Sequence, residues 1–87
     1  MIFAKKSLGQ NFLIDKNIVK KIINLKKIKD RNVIEIGPGK GALTNEILSN
    51  APKNLILIEK DLNLYNILKL KYHNYKHVKI YNKDILE

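Results

Sequence analysis

Residues 33–44 read VIEIGPGKGALT, and this stretch decides how the rest of the chain is interpreted. Residues 33–36, three apolar residues and one acid, predict a short buried strand, and the spacing of apolar residues over 42–48 predicts a helix. Between them lie three glycines in five positions. Glycine adopts backbone conformations closed to other residues and lets a ligand approach the main chain. The stretch therefore predicts a strand, a ligand-accessible loop and a helix in succession.

Further strands and helices are predicted on both sides of this unit. The apolar run LILI at 55–58 predicts a second strand buried on both faces, and VKIY at 78–81 predicts a third. A helix is expected before the first strand, from a cap at Asp15 to about residue 25, and another over 62–70 with Asp61 as its cap. Strands that alternate with helices predict an α/β fold with a parallel sheet and right-handed crossovers, as in half of a doubly wound sheet.

Composition sets broad limits on function. The chain has 87 residues, 17 Lys and Arg against 8 Asp and Glu, and a net charge of +9. This charge suits a polyanionic partner such as nucleic acid, but a Lys/Asn/Ile bias typical of an AT-rich genome would produce it too. The absence of cysteine excludes disulfides, thiolate metal sites and cysteine nucleophiles. No secretory signal or membrane-length apolar run is visible, so we expect a soluble intracellular protein without a metal.

Three candidate site residues follow the predicted strands. In an open α/β sheet, ligands bind beyond the carboxyl ends of the strands. Gly37 directly follows the first strand, Glu59 the second, and Asp84 lies just beyond the third. A carboxylate at Glu59 can accept hydrogen bonds from ribose hydroxyls, and one at Asp84 from an exocyclic amine such as adenine N6. Together they predict a nucleoside site; the alternatives are a ligand-free turn, a solvated or capping acid and an ordinary turn residue.

The spacing of the glycines limits which kind of ligand the loop is predicted to bind. It matches neither G-x-G-x-x-G nor the P-loop, so a pyrophosphate is not predicted. Glu35, inside the first strand, is expected to be buried and therefore paired. An ammonium group from a ligand or from a lysine is the expected partner, and the sequence does not choose between them.

Four stretches together resemble the bacterial small-subunit ribosomal RNA adenine dimethyltransferases. They are KKSLGQNFLID at 5–15, VIEIGPGKGALT at 33–44, LIEKD at 57–61 and NKDILE at 82–87. The resemblance implies the Rossmann-like methyltransferase fold and S-adenosyl-L-methionine as cofactor. It also implies dimethylation of N6 on two adjacent adenines near the 3′ end of small-subunit ribosomal RNA, in the immature small subunit. The expected location is the bacterial cytoplasm or an organellar matrix.

The resemblance also assigns roles to residues. Asn11 and Leu13 match the arm that closes over the cofactor, and Gly37 matches the glycine against its methionine part. Glu59 matches the ribose-binding acid and Asp84 the acid at the adenine amine. The family's catalytic Asn-x-Pro-aromatic loop and C-terminal helical domain have no match here, so no catalytic residue is assigned.

We therefore expect a partial methyltransferase domain over 1–87, inactive alone. Residues 1–31 would form the arm and first helix, and residues 32–87 the first three strands of the cofactor-binding sheet. Three strands leave an open sheet edge, so the chain alone is expected to be marginally stable and prone to associate.

Three other functions are weighed against this one. The macrolide-resistance type of large-subunit adenine methyltransferase is similar around GKG and NKDIL, but typically has Ser at the positions of Gly9 and Pro38. A non-enzymatic nucleic-acid-binding paralogue would keep the same scaffold. A nicotinamide-dependent oxidoreductase would show G-x-G-x-x-G and no GQNF arm.

Two sets of residues are candidates for RNA contact. Phosphate contacts are considered for Lys5 and Lys6, and base stacking for Tyr72 and Tyr75. Ordinary surface roles are the alternative for all four residues.

Overall fold

The computed structural model describes residues 2–5 and 28–86. They form four strands, β1 (Ile2–Lys5), β2 (Asn32–Ile36), β3 (Asn54–Ile58) and β4 (Val78–Tyr81), and two helices, α1 (Ala42–Ser49) and α2 (Leu62–Tyr72). All neighbouring strands are parallel, in the order β1-β2-β3-β4. The three predicted strands and the two helices between them are confirmed. The helix predicted over 15–25 lies outside the described residues.

Strand β1 is an addition to the predicted sheet. The first residues were expected to form an arm, but Ile2–Lys5 pairs with β2, with Ile2 opposite Val33 and Lys5 opposite Ile36. Because β1 lies on the side of β2 away from β3, both β2 and β3 have a neighbour on each side. Interior position in a parallel sheet explains why these two strands are almost wholly apolar.

The core lies between one face of the sheet and the two helices. Val33 and Leu55 are paired in register, and with Leu57 they are fully buried on this face. Ile47 of α1 and Leu68 of α2 complete the centre of the cluster, each with no exposed surface. This packing fixes the strand ends, and with them the loops that follow.

The two helices begin in different ways. In α2, the predicted cap is confirmed because Asp61 Oδ1 accepts a hydrogen bond of 2.9 Å from the Leu64 amide. In α1, the residue before the first turn is Gly41, whose φ of 92° lies in the left-handed region and which provides no side-chain cap. The first turn of α1 is closed by the backbone alone, with the Asn45 amide donating to the Gly41 carbonyl at 2.9 Å.

Helix α2 buries only part of its apolar side chains. Its apolar residues Leu62, Ile67 and Leu70 are exposed, whereas Tyr72 is only 3% exposed. The interpretation of Tyr72 as a base-stacking surface residue is therefore wrong, because its ring is packed in the core. Tyr75 is exposed, as such a role would require.

Candidate functional site

The ends of β2, β3 and β4 lie side by side at one edge of the sheet. Beyond the strands, the Gly37 amide donates to the Ile58 carbonyl at 2.9 Å, and the Glu59 amide donates to the Tyr81 carbonyl at 2.9 Å. The loops that carry Gly37, Glu59 and Asp84 are consequently neighbours. Asn11 and Leu13 lie outside the described residues, so their predicted roles stay predictions.

Glu59 joins the glycine loop to the start of α2. Its side chain is buried, with Oε1 accepting from the Gly39 amide at 3.1 Å and Oε2 from the Asp61 amide at 3.0 Å. The alternative of a solvated acid at Glu59 is therefore wrong. A carboxylate oxygen has two lone pairs, so each can accept a further hydrogen bond from a ligand hydroxyl.

The glycine loop, residues 37–41, is a tight turn whose shape requires its glycines. All three have positive φ, 68° at Gly37, 60° at Gly39 and 92° at Gly41. The Gly41 amide donates to the Pro38 carbonyl at 3.0 Å and closes the turn. Because the turn sits at the start of α1, the unpaired amides of that helix face the same end of the sheet.

A buried polar cluster lies beneath the loop. Glu35 has no exposed surface, as predicted, and its Oε1 accepts a 2.5 Å hydrogen bond from the Thr44 hydroxyl. The expected partner was an ammonium group, and a hydroxyl partner was not predicted. The Tyr72 hydroxyl donates to Asn45 Oδ1 at 2.6 Å. Burial, and secondarily the nearby carboxylate of Glu35, raise the pKa of Tyr72 to about 12.

A shallow groove beside Glu59 is lined by Lys60, Asn82, Lys83 and Asp84. Asp84 is half-buried, and its Oδ1 accepts from the Leu86 amide at 3.0 Å. A carboxylate in this position can also accept a hydrogen bond from a ligand amine.

Asn82 is a structural contributor that sequence reasoning missed. Its Nδ2 donates to the carbonyls of Glu59 at 2.9 Å and Lys60 at 3.1 Å, so it ties the end of β3 to the end of β4. An asparagine directly after a strand is a common turn residue. That signal places it in a loop but does not show what its amide bonds.

The described part of the chain shows neither a membrane-spanning helix nor a cluster of metal ligands. Neither α1 nor α2 is long and apolar enough to cross a bilayer. Within residues 28–86, His, Asp and Glu side chains form no group of three suited to a metal ion.

Comparison with known proteins gives consistent matches. A family model described as ribosomal RNA adenine dimethylase matches residues 2–87. The chain is 50% identical over 84 residues to ribosomal RNA small subunit methyltransferase A of Pelagibacter ubique, covering 97% of this chain and 31% of that protein. It is 51% identical over 87 residues to the protein of the same name from Levilactobacillus brevis, covering 99% of this chain and 29% of that one.

A solved structure shares both fold and sequence. The crystal structure of the 23S rRNA methyltransferase ErmE superposes with a TM-score of 0.74 at 30% identity, covering 87% of this chain and 31% of ErmE. The chain thus spans about three tenths of the length of each of these relatives.

Proposed function

Since the chain belongs to the ribosomal RNA adenine dimethylase family, we propose that it forms part of the cofactor site of an S-adenosyl-L-methionine-dependent ribosomal RNA adenine methyltransferase. The observation that carries the proposal is Glu59, a buried carboxylate beside the glycine loop at the end of β3. Residues 1–87 form a partial methyltransferase domain, in which Ile2–Lys5 adds strand β1 to the sheet built by residues 32–87.

The residues at the strand ends fit a nucleoside that carries an amino acid substituent. Glu59 would accept from the ribose hydroxyls and Asp84 from the adenine amine, while the backbone at Gly37 would lie against the methionine part. When bound, the cofactor supplies an electrophilic methyl group. The described residues bind and orient; alignment of reacting groups is worth several kcal/mol in such transfers.

The target we propose is N6 of two adjacent adenines near the 3′ end of small-subunit ribosomal RNA. The relatives at 50% and 51% identity are named as small-subunit methyltransferases, whereas the large-subunit enzyme ErmE is 30% identical. The expected partner is the immature small ribosomal subunit, in a bacterial cytoplasm or an organellar matrix.

The direct test is calorimetric titration of S-adenosyl-L-methionine into the intact protein encoded by the gene. Glu59→Gln keeps the size of the side chain but removes its charge, and charged hydrogen bonds contribute about 1.5–3 kcal/mol, so affinity should fall about 10- to 100-fold. Glu46→Gln, on α1 and away from the strand ends, is the matched control and should bind normally. Unchanged affinity in Glu59→Gln would contradict the ribose assignment.

A second measurement separates the candidate activities. Methyl transfer from labelled cofactor should appear in small-subunit RNA and not in large-subunit RNA. Labelling of the large subunit instead would favour the macrolide-resistance branch. Cofactor binding without labelling of either RNA would favour a non-enzymatic paralogue. Residues 1–87 alone should bind weakly, and micromolar binding by them would contradict this expectation.

A further inference from the structure

The glycine loop is contacted by the far end of another helix. Tyr72, the last residue of α2, places its hydroxyl oxygen 2.6 Å from Asn45 Oδ1 and 3.3 Å from the Gly41 carbonyl. The preceding residue, Lys71, donates from Nζ to the Lys40 carbonyl at 2.9 Å. The last two peptide groups of the loop are thus both held by α2.

The contact at Gly41 leaves no room for a side chain. A Cβ built on Gly41 would lie 2.5 Å from the Tyr72 hydroxyl oxygen and 3.2 Å from Lys71 Nζ. Heavy atoms do not approach so closely without displacement of one of them. The position of Tyr72 and the conformation of Gly41 are therefore mutually dependent.

A chain of hydrogen bonds leads from this contact to the candidate ligand site. The peptide group between Lys40 and Gly41 accepts from Lys71 through its carbonyl and donates to Pro38 through its amide. The turn closed in this way contains Gly39, whose amide donates to Glu59 Oε1. Displacement of Gly41 would therefore be transmitted to the carboxylate.

We propose that Tyr72 is a positioning residue, which holds the glycine loop in the shape that presents Gly39 to Glu59 and so sets the affinity for the nucleoside ligand. The inference rests on the proposed function of this site and adds a residue 31 positions from Gly41. Tyr72 is buried, so the role assigned to it acts through the glycine loop.

The test measures binding of S-adenosylhomocysteine to the intact protein by calorimetry. Tyr72→Phe keeps the packed ring and removes one hydrogen bond, so the dissociation constant should rise about 3- to 10-fold. In the same variant, backbone amide NMR signals of Gly37 and Gly39 should shift while those of β1 should not. Tyr75→Phe, which removes an exposed tyrosine hydroxyl, should leave both measurements unchanged.

Asn45→Ala provides a second variant that spares the core. Asn45 is exposed, and alanine favours the helix, so the fold should be retained. Asn45→Ala removes the nearer acceptor of the Tyr72 hydroxyl. The hydroxyl keeps the Gly41 carbonyl as an acceptor, so the affinity should fall in the same direction but by less than in Tyr72→Phe. In steady state, both variants should raise KM for the cofactor and leave kcat at saturation unchanged.

The outcomes distinguish failure of the proposed function from failure of the positioning role. If the wild-type protein binds no cofactor analogue, the proposed function fails and this inference fails with it. If the wild type binds and both Tyr72→Phe and Asn45→Ala bind equally well, with unshifted glycine signals, the proposed function stands and the positioning role is wrong.

Discussion

Gly41 shows how one side chain can constrain a backbone conformation from a distance. Its φ of 92° already disfavours any residue with a Cβ, and the Tyr72 hydroxyl occupies the space beside it. A substitution at Gly41 therefore meets two separate obstacles, backbone strain and a steric clash. These two costs can be separated because only the clash depends on Tyr72.

We expect Gly41→Ala to be less destabilising in a Tyr72→Phe background than in the wild type. The backbone strain, of order 1–3 kcal/mol, remains in both, but phenylalanine lacks the atom that would lie 2.5 Å from the new Cβ. Urea unfolding of the four proteins of the double-mutant cycle measures the coupling. The same cycle with Tyr75→Phe should be additive, and additivity with Tyr72→Phe would show that the predicted clash does not occur.

The raised pKa of Tyr72 predicts a pH dependence of stability. The folded state favours the neutral phenol, because burial and then Glu35 raise its pKa from 10.0 to about 12. A group whose pKa is raised on folding stabilises the protein fully below its unfolded pKa, and this contribution is lost as the pH rises through the folded pKa. The stability attributable to Tyr72 should therefore decline between pH 10 and pH 12.

This decline is measured as the difference in unfolding free energy between wild type and Tyr72→Phe at increasing pH. The difference should be constant below pH 10. Above pH 10 the wild type should lose stability relative to Tyr72→Phe. Tyr81→Phe, which removes an exposed tyrosine hydroxyl on β4, controls for loss of a tyrosine hydroxyl as such. A difference that stays flat to pH 12 would mean that the Tyr72 hydroxyl does not titrate as its buried position implies.

Helix α2 depends on a side-chain cap, whereas α1 has none. Asp61→Ala removes the oxygen that accepts from the Leu64 amide, so stability should fall by about 1 kcal/mol. The Asp61 backbone amide still donates to Glu59. Chemical denaturation should thus show the loss, with cofactor affinity nearly unchanged. Asn63→Ala, in the exposed first turn, is the control; equal stability of the two variants would argue against the cap.

The strands and their order were predictable from sequence because their patterns are local. VIEI and LILI are short apolar runs bounded by turn residues, and they became the interior strands β2 and β3. Strand β1 was missed because four residues are too few to show a period. Which side of α2 faces the core was not predicted, since apolar residues occur on several sides of the helix and spacing alone cannot choose among them.

The candidate site was predictable only where it follows strand ends. Gly37, Glu59 and Asp84 each come just after a strand, and parallel strands bring such residues to one edge. Asn82 and Tyr72 were not predicted as site residues, because their bonds join elements that are distant in sequence. The hydroxyl of Tyr72 meets Gly41 across 31 positions, and no local pattern encodes that contact.

The described sheet ends in β1 on one side and in β4 on the other. In the part of the chain that the structure describes, β4 pairs with β3 only, so its outer backbone groups are available to another strand. Across the sheet, Ile34, Ile56 and Lys79 stand in register, and the two isoleucines are half-buried on the face opposite the core. Lys79 therefore places a charge at the end of an apolar row, where charged residues oppose edge-to-edge association.

We expect Lys79→Val to associate more strongly than the wild-type chain of 87 residues. Valine extends the apolar row to the open edge and favours strand pairing. A domain of this size buries only about 60% of the surface that its unfolded chain exposes, so its free energy of unfolding is small. Sedimentation velocity over a range of concentrations should show larger species for Lys79→Val. Lys76→Val makes the same charge change in the loop before β4, so it separates loss of charge from exposure of the edge. If both variants associate equally, net charge keeps the chain dispersed; if neither does, β4 is protected by something other than Lys79.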